Sequence, residues 1–228
     1  MDDYGYLFRL SAWVLPVLLA VSLHEASHGW VAWKLGDNTA YQMGRVTFNP
    51  IKHIDPFGTI ILPAVLLIVS GGTAAFGYAK PVPVNFWNLR HWKRDTVLVA
   101  AAGPASNLIL AILSALLFHT LSFFPVTVQP WVVATLFASM AINLILFIFN
   151  MLPLPPLDGG RVAIAILPPA LGQSLARLER VGFAIILGVL FVLPLIGDQV
   201  GKEFDVFNWL VFQPTQHLIK MIMWVAGI

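Results

Sequence analysis

Apolar residues in this chain come in long runs, without the strict alternation of a strand or the single stripe of a soluble helix. The first run covers about 6–35, and Gly36-Asp37-Asn38 closes it as a helix stop. Pro16 is a candidate kink inside it. A polar connection, 41–55, carries an Asn49-Pro50 turn signal. Segment 56–76 is apolar again, interrupted by Pro63 and ended by Gly71-Gly72, and 77–95 is polar and proline-rich. Three stronger runs follow at about 96–118, 131–152 and 181–196, with a shorter apolar piece at 161–167. From Val206 onward the chain is apolar but contains His217 and Lys220; it reads as a span or as a helix lying in the interface.

Composition turns these runs into membrane segments. Of 228 residues, 58% are hydrophobic and only 11% charged, against roughly 25% charged in a soluble domain. Several runs approach the ~20 residues needed to cross ~30 Å of hydrocarbon. The expectation is an all-α polytopic membrane protein with about four to six membrane segments. It forms one membrane-embedded domain over 1–228, with a core at 6–167 and C-terminal membrane or interfacial helices at 181–228. No internal repeat is present. The acidic start, Met1-Asp2-Asp3, does not resemble a cleavable signal peptide, so the first run is expected to be retained. A formal charge of +2 gives no reason to expect a nucleic-acid partner, and the absence of cysteine leaves any metal to His, Asp or Glu.

Segments 34–56 and 77–95 hold seven of the 13 basic residues, whereas 119–130 holds none. By the excess of Lys and Arg in cytoplasmic loops, both basic segments face the cytoplasm. Segment 56–76 then enters and leaves on one side as a re-entrant or embedded loop, the alternative being an ordinary span. The first helix runs inward, 96–118 returns outward and 131–152 comes back in.

The candidate chemistry lies in His24-Glu25-Ala26-Ser27-His28. Histidines four apart share one face of a helix, close enough to bind one zinc at ~2.0–2.1 Å. Glu25 sits beside them, positioned to act on a metal-bound water without being a ligand. With six His and three Glu in the chain, chance would supply such a pattern about 0.002 times. His24 lies ten residues before Lys34, hence about 15 Å from the helix end, a depth at which ionisable residues mark function. The third ligand is expected to be Asp158, in Asn150-Met-Leu-Pro-Leu-Pro-Pro-Leu-Asp-Gly-Gly160. There Pro153, Pro155 and Pro156 stop the preceding helix, and Gly159-Gly160 permits a sharp turn. An extended strand over 152–157 is expected to present Asp158 to a cavity.

His24-Glu25-x-x-His28, Gly103-Pro104-Ala105-Ser106-Asn107 and Asn150-x-x-Pro153-x-Pro155-Pro156-Leu157-Asp158-Gly159 together resemble the site-2 protease family of intramembrane zinc metalloproteases, over about residues 20–162. The short prokaryotic type is closest, as 49–59 and 76–85 also suggest; no PDZ or CBS domain is visible. The resemblance implies one zinc per chain, held by His24, His28 and Asp158, with Glu25 as general base. It implies substrate contact by Asn150, Asn107, Pro153 and Pro155. Its partners would be membrane lipid and a transmembrane protein substrate, such as a membrane-bound transcriptional regulator. The implied place is the inner membrane, with the active site reached from the cytoplasm. Arg45, His53, Asp55 and Lys80 are candidates for the channel mouth, His53 as a possible auxiliary residue. An unwound substrate could add as a strand to 152–157 or to Pro81–Val84. The competing readings are a metal or ion transporter and a non-catalytic membrane scaffold. The resemblance leaves oligomeric state open.

Overall fold

The computed structural model describes residues 3–69, 77–199 and 205–228, which contain helices, turns and extended connections but no strand pairing. Helix α1 (Asp3–Leu35) passes through Pro16 without a break and stops where Gly36 takes φ +119°. The short α2 (Thr39–Gln42) and a 3₁₀ turn at Pro50–His53 lead to a π-turn, Pro56–Ile61, continued by α3 (Leu62–Val69). Then come α4 (Trp92–Leu117), α5 (Gln129–Asn150), α6 (Asp158–Ile166) and α7 (Pro169–Arg177). Helix α8 (Glu179–Leu187) runs through a π-turn, Gly188–Val192, into α9 (Leu193–Gln199). A last π-turn, Asn208–Phe212, opens α10 (Gln213–Ala226).

Among the described residues, three helical stretches are long and apolar enough to cross a membrane: Leu10–Leu35, Trp92–Phe123 and Gln129–Asn150. They pack on one another, with α6 against α4 and α10 against α5 and α4. The packing follows from side-chain size. Ala12, Pro16, Ala20, His24, His28 and Ala32 are all buried and recur every four residues, so α1 turns one narrow seam inward. Small residues let helix backbones approach closely where lipid offers no hydrophobic driving force. Leu10, Val14 and Leu18 on α1, and Ile109, Leu113 and Leu116 on α4, remain exposed for lipid.

The apolar packing is split. One cluster joins Ala111, Ala115, Leu136, Met140, Leu144 and Ile222 across α4, α5 and α10. The other joins Ala32, Leu89 and Val99 near the opposite end of α1.

Two connecting segments depart from the sequence expectation or refine it. Residues 152–157 are not an extended strand. Leu152 N donates to Phe149 O, Leu154 N to Leu152 O and Leu157 N to Leu154 O, at 3.2, 2.8 and 3.0 Å, so every donor between the prolines is spent in a local turn. In segment 56–76, Tyr78 N donates to Gly58 O at 3.0 Å, and Thr59 Oγ1 to Tyr78 O at 3.0 Å. The start of the segment and Tyr78 therefore lie side by side; residues 70–76 lie outside the described range.

The extended stretch from Tyr78 to Asn85 is held along its length. Lys80 N donates to His53 O at 2.9 Å, and Arg45 Nη2 donates to Lys80 O at 2.8 Å. Arg45 is buried, not a solvated loop charge. At the far end, Asn85 N donates to Asp37 Oδ2 at 2.7 Å. Asp37 is fully buried and also accepts from Thr39 and from Asn88 Nδ2. Burial raises its pKa, but the hydrogen bonds from Thr39, Asn88 and the Asn85 backbone outweigh that and hold the carboxyl below its usual range.

A carboxyl lowered in the folded state contributes stability above its unfolded pKa, about 3.9, and that contribution is lost as pH falls through the folded value. Asp37→Asn should therefore lower the thermal unfolding midpoint in detergent at pH 7 by several degrees. The expectation follows because hydrogen bonds to charged groups contribute ~1.5–3 kcal/mol and ~1 kcal/mol shifts a chain of this size by about 2–4 °C. The gap between wild type and variant should close below about pH 4, and a gap that widened on acidification would contradict this role.

Candidate metal centre

Two imidazoles one turn apart on α1 meet the first residue of α6. His24 Nε2 and His28 Nε2 are 3.0 Å apart, and Asp158 Oδ2 lies 3.3 Å from the first and 3.4 Å from the second. The three side chains are the group among the described residues able to hold a metal ion.

The backs of both rings decide what the fronts can do. His28 Nδ1 lies 2.7 Å from the Val99 carbonyl, which only accepts, so this nitrogen carries the proton. His24 Nδ1 lies 2.6 Å from Asn107 Oδ1, while Asn107 Nδ2 faces the Ala20 carbonyl at 3.2 Å. With the amide so oriented, His24 is also protonated at Nδ1. Both Nε2 lone pairs and a carboxylate oxygen then converge with no proton between them, an arrangement that a cation neutralises. Zinc bonds of ~2.0–2.1 Å in a tetrahedron place ligand atoms about 3.3–3.4 Å apart. The two distances to Asp158 match that figure while the 3.0 Å between the histidine nitrogens is shorter, and two imidazoles with one carboxylate match a catalytic zinc set with one open position.

Close approach of α4 makes this possible. A Cβ on Gly103 would fall 2.4 Å from His28 Nε2 and 2.6 Å from His24 Nε2, in the space where the lone pairs meet. At α6, a Cβ on Gly159 would stand 2.2 Å from Met151 O, and one on Gly160 2.3 Å from Pro155 N. The turn from Met151 to Leu157 folds back on the start of α6 so tightly that only glycine fits, and this fold-back aims Asp158 at α1.

The three ligands and Glu25 line one cleft of about 620 Å³, within the ~300–1,000 Å³ usual for ligand sites. Its other walls are largely apolar and include Val84, Ile145, Phe149 and Phe183. Glu25 Oε2 accepts a 2.7 Å hydrogen bond from Val82 N, the one backbone donor between Pro81 and Pro83. The extended segment thus lies across the cleft and touches its carboxylate.

The other expected site residues divide. Asn150 lines the cleft, with Nδ2 donating to Leu146 O at 3.0 Å. Asn107 is fully buried behind His24 with its amide engaged by protein groups; it has no surface to offer a substrate, and its expected place as a substrate contact is corrected to one behind a ligand. Pro153 lines a separate apolar cavity of about 270 Å³ beside the cleft, with Leu154 and Leu210. Pro155 is buried within the turn. His53 is buried outside the cleft lining, where Nε2 donates to Thr47 O at 2.9 Å; it secures the loop that holds Lys80 and takes no part in the ligand group. Sequence reasoning missed Asn143, buried on α5 beside Asn107. The available signal was an amide within an apolar helix, seven residues, hence about two turns, before Asn150.

The model of peptidase family M50 matches residues 12–129 and 125–195. The Bacillus subtilis (strain 168) protein named "Putative zinc metalloprotease YwhC" is 41% identical over 201 residues, covering 86% of this chain and 87% of that protein. Rip2 of Mycolicibacterium smegmatis, under the same designation, is 33% identical over 78% of this chain and 65% of its own length. Rip2 of Mycobacterium tuberculosis (strain H37Rv) is 32% identical over 85% and 70%. No solved structure was found to match.

Gly103→Ala should abolish stoichiometric zinc binding, weakening affinity at least 100-fold while far-UV circular dichroism stays that of wild type. Metal analysis of purified protein reads the effect. One zinc per chain at wild-type affinity would show that α4 does not border the centre as described.

Proposed function

The chain belongs to peptidase family M50, the site-2 protease family, and from that premise we propose that it hydrolyses peptide bonds within or near the transmembrane helices of other membrane proteins. One observation carries the reading: His24, Glu25 and His28 sit well inside the apolar stretch Leu10–Leu35, and with Asp158 of α6 they line a cleft with mostly apolar walls. His24 is eleven residues from Leu35, hence ~16 Å from that end of the helix. A soluble substrate has no reason to be met at that depth.

His24, His28 and Asp158 would hold the zinc, which when bound would supply Lewis acidity toward the scissile carbonyl and lower the pKa of a water toward neutrality. The remaining steps belong to side chains of this protein. Glu25 takes a proton from the attacking water as its oxygen bonds to the carbonyl carbon. The C–N bond breaks, and Glu25 returns the proton to the departing nitrogen; the second water proton passes from the new carboxylic acid to the amine, leaving a carboxylate and an ammonium. The Val82 N–H holds Oε2 in the cleft before the proton arrives, leaving the other carboxylate oxygen as the acceptor. Asn150 is the proposed partner of substrate backbone, a reading supported by its position on the cleft wall.

A helical substrate has its amides tied in i→i−4 bonds and must unwind before attack. The donors at 152–157 are spent in turns, and in the segment from Tyr78 to Asn85 those of Tyr78, Lys80, Val82 and Asn85 are spent as well, which leaves the Val84 amide, in the cleft lining, as a donor for strand addition. The segment's basic flanks, Lys80 and 90–94, support a cleft entered from the cytoplasmic face of the inner membrane. Membrane-bound transcriptional regulators are the proposed partner class.

The test is cleavage of single-span substrates by purified protein. Glu25→Gln should keep one zinc per chain and lose at least 10²-fold in rate, the lower bound for a general base. If Glu25→Gln cuts as fast as wild type, Glu25 is not the base. A substrate carrying Gly or Pro at the cut should be cleaved faster than a Leu-rich one. Equal rates would mean that unwinding is not required, and cleavage confined to soluble peptides would overturn the intramembrane reading.

A further inference from the structure

Behind the zinc ligands lies a buried polar chain that the mechanism above does not use. Asn107 Nδ2 donates to Asn143 Oδ1 at 2.8 Å, in addition to its bond to the Ala20 carbonyl. Asn143 Nδ2 donates to Ser139 O at 2.9 Å and approaches Ser139 Oγ at 3.4 Å. Ser139 Oγ lies 2.7 Å from Ser114 Oγ, which itself donates to Leu110 O at 2.8 Å. Asn107 and Asn143 are at most 1% exposed, in the middle of three apolar helices.

The direction of this chain is set from its far end. Backbone carbonyls accept and never donate. Ser139 O therefore fixes which end of the Asn143 amide is the NH₂, and Oδ1 is left to face Asn107. Ala20 O and Asn143 Oδ1 are both acceptors, so the Asn107 NH₂ must lie between them and its Oδ1 must face His24. Reversing Asn107 alone would set its oxygen against two other oxygens. Reversing both amides would set Asn143 Oδ1 against the Ser139 carbonyl. One polarity satisfies every group, and in it His24 carries its proton on Nδ1 and directs the Nε2 lone pair at Asp158 and His28. Without Asn143, Asn107 keeps only the longer 3.2 Å bond to Ala20 O, and the reversed amide, with His24 protonated at Nε2, loses most of its penalty.

We propose that Asn143 is a positioning residue for the metal centre: acting through Asn107, it fixes the tautomer of His24 and thereby aims Nε2 at the zinc. The proposal rests on the zinc site described above. Outer partners of metal-ligating histidines set ligand orientation, and losing one typically costs 10–100-fold in affinity; Asn143 stands one residue further out and belongs at the low end of that range.

Zinc affinity is measured by chelator competition on purified wild type, Asn143→Leu, Asn107→Leu and the double variant. Asn143→Leu preserves bulk and should weaken zinc about 10-fold with circular dichroism unchanged. In the Asn107→Leu background it should add less than 2-fold, because its route to His24 is gone. Asn143→Asp in its neutral form can accept from Asn107 and donate to Ser139 O, and should recover most of the affinity; it serves also if the leucine variant fails to fold. ¹⁵N spectra of histidine-labelled, metal-free protein, with His24 assigned by loss in His24→Gln, should show the Nδ1–H tautomer in wild type and a mixture in Asn143→Leu. Unchanged affinity and an unchanged tautomer in folded Asn143→Leu would overturn the proposal, as would full additivity with Asn107→Leu. Neither readout requires cleavage, so failure here leaves the protease reading intact, and a protein that binds zinc in this manner but cuts nothing would overturn the protease reading alone.

Discussion

Inside an apolar span there is no water to receive a stray lone pair, so each polar group must be paired by the protein or by an ion. The imidazoles of His24 and His28 meet that requirement in two directions. Their Nδ1 atoms are fixed by Asn107 and by the Val99 carbonyl, and their Nε2 atoms turn toward Asp158. Much of the surrounding architecture answers to this convergence. Helix α4 can bring Val99 and Asn107 to the rings because position 103 has no Cβ, and α1 can receive α4 because its inward seam is alanine, proline and histidine. The turn of 151–157 doubles back so that Asp158 opens α6 facing α1, and negative charge at the start of a helix is favoured there. Structure and chemistry meet in the same few atoms.

The segment crossing the cleft is held by groups from three different elements. Arg45 grips its carbonyls, Asp37 takes its last amide, and Glu25 takes the amide in between. Of these, Glu25 is the group that lines the cleft with His24 and His28. Proline on either side of Val82 leaves no neighbouring N–H to compete for the carboxylate.

Alanine, valine, leucine and methionine hold the helices by close contact. Interleaved with them, amides and hydroxyls from α4 and α5 form a sequence of bonds that ends at backbone carbonyls and begins at His24. The α4–α5 contact is thereby joined to His24 through two amides.

Much of this was legible in the sequence. Run length and the scarcity of charge determine helices and a membrane, because transfer of apolar surface and backbone pairing in lipid depend on local composition alone. The His24–His28 spacing determines that both rings share a helix face, because that is a property of 3.6 residues per turn. Gly159-Gly160 and the prolines announce a forced turn before Asp158. Three matters were decided only when distant segments met. Whether 152–157 would be a strand depended on how sharply Asp158 had to be returned to α1, and the return consumed the donors in turns. Arg45 and His53 read as candidates for a channel mouth, but the path of the 78–85 segment buries both as its anchors. Asn107 sat in a motif whose role could not be read until α1 and α5 enclosed it, and Asn143 drew no notice at all. The physical reason is common to all three: a side chain's charge and size are written in the sequence, whereas the acceptor it will face is set by packing between residues far apart in the chain.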